Sequence, residues 1–158
     1  MFKIVQYSIY ALLLLCVSCA KQQQSSTLEA RLAFSADSAY SYIDQQVAFG
    51  PRVPGTEAHV ACGDWLMTEL RRHGAQVKQQ VGSMTNYAGQ QQSIRNIVAY
   101  FEGTTSQTIL LCAHWDSRPW ADEEEEYDLR FQPVLGANDG ASGVGVILEL
   151  VRQMAIMK

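Results

Sequence analysis

The run "QTILLCAHW" at residues 107–115 constrains this chain most, because it is almost uniformly apolar over Ile109–Ala113 and stops on a histidine. A strand with one face in water alternates apolar and polar residues. A run without alternation predicts a central strand, covered on both faces by helices. The flanking sequence supplies those helices. Ser35 is placed to cap a helix over 36–48, with Tyr40, Ile43 and Val47 on one face and Gly50 past its end. Thr56 is placed to cap a second over 57–73, which buries Cys62, Leu66 and Leu70 before Gly74 closes it. Residues 141–157 set Val144, Ile147, Leu148, Val151 and Met154 at helical spacing, as an amphipathic helix packed on the sheet.

The intervening segments complete an alternation of helix and strand. "FGPRVPGT" holds two prolines and two glycines in eight residues and must be a loop. "AQVKQQVG" alternates as a strand, and "SMTNYAGQQQ" predicts a loop or frayed hairpin. "SIRNIVAYFEG" is a further strand, joined to 107–115 by the turn "GTTS". The class is therefore α/β, and 158 residues at 47% hydrophobic composition fit one globular domain. A net charge of −4, with no basic cluster longer than Arg71-Arg72, leaves no electrostatic footprint for nucleic acid.

Three side chains carry the chemistry. His114 ends the central strand on the side where open α/β sheets collect their ligands. Asp116, two residues on, can accept the second ring N–H and fix the tautomer that a metal needs. Asp139 precedes a helix within a turn where Gly136, Gly140 and Gly143 permit close backbone approach. Taken singly, each has a plain structural reading: a satisfied histidine, a helix N-cap, an Asn-Asp-Gly turn. Together they predict a metal site, and a mixed imidazole and carboxylate set favours zinc. The acidic run Glu123–Glu126 reads as a solvated loop.

The front of the chain is a targeting segment. Lys3 precedes "IVQYSIYALLLLCVSC", which is shorter than the ~20 apolar residues of a membrane span and fits an export signal. It ends in Val17-Ser18-Cys19, which resembles a bacterial lipoprotein processing site, although Cys16 stands where leucine is usual. That resemblance implies a signal peptide over 1–19, a lipid anchor on Cys19, a polar tether over 20–34 and a domain over 35–158. It places the protein in the bacterial cell envelope or periplasm, anchored to the membrane as a lipoprotein. An ordinary secretory signal cut near Ala20 is the alternative. Cys62 and Cys112 then remain in the domain and read as small buried residues.

"AHWDSR" followed by "GANDGASGVGVILEL" resembles the zinc-dependent aminopeptidase family M28. "FGPRVPGTEAHVACGDWLMTELRRHGA", "RNIVAYFEG" and "LLCAHWDSRPWAD" resemble one branch more closely, the bacterial glutaminyl cyclases, over about residues 35–158. The resemblance implies a three-layer αβα fold with a mixed central sheet, a zinc cofactor, and peptide or protein N-termini as substrates. Asp139 matches an aspartate that binds zinc in both branches. His114 matches the second-metal histidine of two-zinc peptidases, which need not be a ligand in single-zinc cyclases, and Asp116 matches the carboxylate that orients it. Trp115 and Trp120 could wall the site, with ordinary packing as the simpler reading.

The family also uses a glutamate ligand, an acid/base glutamate and a histidine ligand from segments after the helix that follows Asp139. The sequence stops at Lys158. Glu149 cannot stand in, since it lies roughly 15 Å along the helix axis from Asp139. The expectation is an N-terminal part of such an enzyme, binding zinc weakly and without turnover. A metallo-aminopeptidase and a non-catalytic exported lipoprotein serving as a binding module are the alternatives.

Overall fold

The structure, a computed structural model, describes residues 33–157, of which Phe34–Ile156 belong to one compact unit. The export signal, Cys19 and the tether up to residue 32 lie outside the described residues.

The two capping predictions hold. Helix α1 (Ala36–Val47) begins at Ser35, whose hydroxyl accepts the Ser38 N–H at 3.1 Å. Helix α2 (Glu57–Arg72) begins at Thr56, whose hydroxyl accepts the His59 N–H at 3.3 Å. Arg71 and Arg72 fall in its last turn, where cations complement the helix dipole. Gly74, at φ +86°, then reverses the chain into a hairpin. Strand β1 (Gln76–Thr85) pairs antiparallel with β2 (Gln91–Tyr100), in a register running from Gln76 opposite Tyr100 to Thr85 opposite Gln91. Asn86 organises the connection, because its Oδ1 accepts the N–H groups of Ala88 and Gln90 at 3.0 and 2.9 Å. The segment expected as a loop or frayed hairpin is the tip of a hairpin, with residues 86–90 as its turn and strand on either side.

Helix α3 (Ser142–Met157) supplies the rest of the core. Tyr42, Leu66, Leu70, Trp115, Leu148 and Val151 form one buried cluster, and complete burial of a side chain such as Leu148 contributes about 2 kcal/mol. With the turn before it, Ala137–Met157 is long and apolar enough to cross a bilayer. Its Val144, Leu148 and Val151 are nevertheless committed to the core. α1 and α3 approach closely at Gly145, where a Cβ would stand 2.7 Å from the Ala39 carbonyl oxygen. The fully buried Glu149 ties the same helices together, accepting the Ser35 N–H at 2.9 Å and a two-pronged contact from Arg152 at 2.6 and 2.9 Å. Those hydrogen bonds, Arg152 foremost, hold its carboxyl down at about 2, from an ordinary 4.5.

Three expectations are corrected. The buried face of α1 is Ala39, Tyr42 and Gln46, while Tyr40 is exposed. Polar bonds set that rotation: Tyr42 Oη lies 3.0 Å from His73 Nε2, and the Gln46 amide donates to the Ala141 carbonyl at 3.1 Å. Residues 107–115 do not form a central strand. Among the described residues the β1–β2 hairpin is the only sheet, wholly antiparallel rather than mixed. With no strand paired to it, the run leaves Ile109 86% and Leu110 80% exposed. Cys112 is exposed for the same reason, whereas Cys62 is buried as expected, and burial pushes its thiol up to about 11. Helices packed around a sheet-bearing core keep the chain in the α/β class.

Candidate metal centre

His114 and Asp139 meet because two segments are brought together by glycines. Residues 107–115 lead to His114, and the irregular turn Ala137–Ala141 delivers Asp139 in an extended conformation (φ −84°, ψ 96°) just before α3. Gly140 has φ +101°, and a Cβ there would meet the Asp116 carbonyl oxygen at 3.0 Å and the His114 ring at 3.1 Å. Only glycine combines that backbone with that proximity. Gly136, at φ +64°, opens the turn, and a Cβ on it would stand 2.9 Å from Ser117 Cβ. At Gly143 a Cβ would meet Ala113 at 3.1 Å, so α3 seats directly against the end of the apolar run.

The result is a half-exposed pair. His114 Nε2 lies 3.1 Å from Asp139 Oδ1. The other ring nitrogen, Nδ1, lies 3.2 Å from the backbone carbonyl of Asp116 and 3.7 Å from its carboxylate. Asp116 therefore faces the imidazole first through its main chain. Both ring nitrogens face oxygens, and a cation seated beside Nε2 and Asp139 Oδ1 would find an imidazole and a carboxylate donor together. Donors each about 2.0–2.2 Å from one tetrahedral ion stand roughly 3.3–3.6 Å apart, so this pair would open by a few tenths of an ångström to admit zinc. Arg118 Nε sits 3.7 Å from Asp139 Oδ2 and steadies the second carboxylate oxygen. Among the described residues, no set of three or more His, Cys, Asp or Glu side chains converges to hold a metal.

Behind the pair the site is walled. Trp115 is buried and stacks on His59, with ring centroids 4.0 Å apart and planes 10° from parallel. Burial lowers the His59 pKa from 6.5, against a smaller opposing pull from Asp116, and keeps the ring neutral near pH 7. Trp120 is instead partly exposed, on a cleft of about 580 Å³ that runs from Asp116 and Arg118 towards Met84 and Tyr87 of the hairpin. Glu149 takes no part, being pinned inside the core 114 residues in sequence from its Ser35 partner.

One buried residue next to the site, Arg52, escaped the sequence reading because a lone arginine in a Pro/Gly loop carries no periodicity. Its guanidinium is completely buried and donates from Nε to the Trp115 carbonyl at 3.0 Å. From the other two nitrogens it donates to the carbonyls of Leu135 and Gly136, both at 2.8 Å.

Comparison with known proteins bears on this corner directly. Residues 96–158 match Peptidase family M28. A Zn-dependent exopeptidase from Parabacteroides distasonis ATCC 8503 is 52% identical, with a TM-score of 0.75, over 77% of this chain and 42% of that one. Tannerella forsythia glutaminyl cyclase is 52% identical with the same TM-score, over 78% of this chain and 42% of its own. Porphyromonas gingivalis glutaminyl cyclase is 45% identical, again at TM-score 0.75, over 77% and 42%. The chain thus spans about 42% of the length of these relatives. Among curated proteins, none matches.

Proposed function

From the premise that residues 96–158 carry the Peptidase family M28 pattern, we propose that this chain forms one corner of the zinc site of a glutaminyl-peptide cyclotransferase. Such an enzyme converts N-terminal glutamine to pyroglutamate and releases ammonia. The observation that carries the reading is the 3.1 Å approach of His114 Nε2 to Asp139 Oδ1, held open by Gly140. Asp139 is the zinc ligand in this reading, and His114 completes the donor pair if a second ion binds.

The chain's own groups have defined tasks. The Asp116 carbonyl engages Nδ1 of His114 and leaves Nε2 facing the metal position. Arg118 holds Asp139 Oδ2 in place, so that Oδ1 stays directed at the same point. Trp115, stacked on His59, keeps the rear of the site dry. Zinc, when bound, supplies Lewis-acid polarisation of a carboxamide or activation of a water. The acid/base glutamate that moves the proton between the α-amine and the departing ammonia belongs to the remainder of the family's fold. A metallo-aminopeptidase is the second reading, favoured by the exopeptidase name that one relative carries. The same proposal keeps the protein exported, in the envelope, with Cys19 lipidated; the motif Val17-Ser18-Cys19 supports this.

The test uses the complete reading frame of the gene, purified with and without zinc. It compares ammonia release from an N-terminal Gln dipeptide with amino-acid release from an unblocked one. Zinc-dependent ammonia release, abolished by Asp139→Ala, is the expected result. Free amino acid without ammonia would replace the cyclase by the aminopeptidase. Mass spectrometry of the same material, extracted from membranes, should find a diacylated Cys19; an unmodified terminus at Ala20 would remove the anchor.

A further inference from the structure

We infer that Arg52 is a positioning residue that fixes the His114 and Asp139 segments relative to each other by binding main-chain carbonyls on both. The inference reaches beyond the donor pair, and only its zinc readout rests on the proposed zinc site.

Arg52 contacts both sides of the centre with one rigid group. Nε donates to the Trp115 carbonyl, which lies in the Trp115–Asp116 peptide, one residue past His114. Nη1 donates to Leu135 and Nη2 to Gly136, the residue that opens the turn holding Asp139. The Gly136 carbonyl also accepts the Ala141 N–H at 3.2 Å, so the guanidinium bonds to the atom that closes the Asp139 turn. The main chain of Arg52 adds a fourth tie, its carbonyl accepting the Ser117 N–H at 3.1 Å. Nη1 also reaches the carbonyls of Gly50 at 3.3 Å, just past α1, and of Gln46 at 3.5 Å, in its last turn.

The chemistry argues against a simple filler. A buried cation is costly unless its donors are satisfied, and no carboxylate among the described residues forms an ion pair with Arg52. An apolar side chain could fill the volume without that cost. What it cannot do is present donors in a planar fork to three carbonyls at once. Gly136 allows the fork to reach so close, because a Cβ there would meet Arg52 Nη2 at 3.0 Å. Lysine has three donors, but they radiate from one nitrogen on a flexible stem and cannot reproduce the planar fork that holds two segments at a fixed spacing.

The experiment uses the whole chain and begins with the zinc-free wild-type protein. In ¹⁵N NMR the Arg52 Nε–H should exchange slowly and show through-bond coupling to the Trp115 carbonyl carbon; a rapidly exchanging, uncoupled Nε–H overturns the inference without any variant. Next, Arg52→Lys is compared with Leu70→Ala, a core change outside the site that lowers the melting temperature independently. In the lysine variant the backbone amides of both 114–117 and 136–141 should shift together, and calorimetric zinc affinity should fall about tenfold. Leu70→Ala should leave those amides in place and the affinity within about twofold, as expected for sites without shared partners. Amide shifts confined to one segment, or affinity losses that follow the melting temperature equally in both variants, would make Arg52 merely structural. If the wild type takes up no zinc, the metal reading fails, and the amide shifts alone decide the role of Arg52.

Discussion

The corner around His114 and the apolar run that leads into it are neighbours in sequence and opposites in construction. At the corner the chain meets itself closely: Arg52 binds carbonyls on two segments, and Gly136 and Gly140 sit where a methyl group would collide. A few residues earlier, Ile109 and Leu110 stand 86% and 80% exposed and pair with no strand among the described residues. Main-chain and side-chain hydrogen bonds shape the corner from within the chain. The run depends on neighbours for its structure, because a strand is defined by its partners and not by its own composition.

Substitution would sharpen that contrast most. Leu148→Ala, at a side chain with 1% exposure, should cost about 2–5 kcal/mol, whereas Leu110→Ala should stay within about 0.5 kcal/mol despite removing the same atoms. Urea titrations of the two variants measure the difference directly. Comparable losses would mean that the 107–115 run is packed in solution, and the contrast would break.

Acid gives a smaller and more gradual effect, through Glu149. Its folded pKa, about 2, lies below its ordinary 4.5, so the unfolded chain takes up the proton first as pH falls. The stability it confers is complete above pH ~4.5 and is lost on descent towards pH ~2. Melting temperatures across that window should drop less steeply in Glu149→Gln than in the wild type. Parallel curves would show that the buried contact with Arg152 and Ser35 is not what acid breaks.

How far the sequence could be read follows the same division. Local chemistry was legible: Ser35 and Thr56 are good N-caps wherever they precede a helix, and Gly74 ends one by reaching a positive φ. The meeting of His114 with Asp139 was legible from a histidine ending an apolar run and an aspartate in a glycine-rich turn, although the strand assumed to carry that histidine does not form among the described residues. Non-local partnership was not. Gln46 looks like a surface residue until Ala141 offers its carbonyl, and with it α1 turns so that Tyr40 faces water. Arg52 sits in a loop whose prolines and glycines announce only irregularity, while the three carbonyls that it binds at the site lie 63 to 84 residues away. The apolar run misled for a related reason, because hydrophobicity states a preference for burial and not the presence of something to be buried against.

Zinc calorimetry on the chain, wild type beside Asp139→Ala, tests most directly whether this corner is a metal centre. One weakly bound zinc per wild-type molecule, abolished by the alanine, is the predicted result. Zinc uptake that Asp139→Ala leaves unchanged would contradict it, and would place the metal somewhere other than between His114 and Asp139.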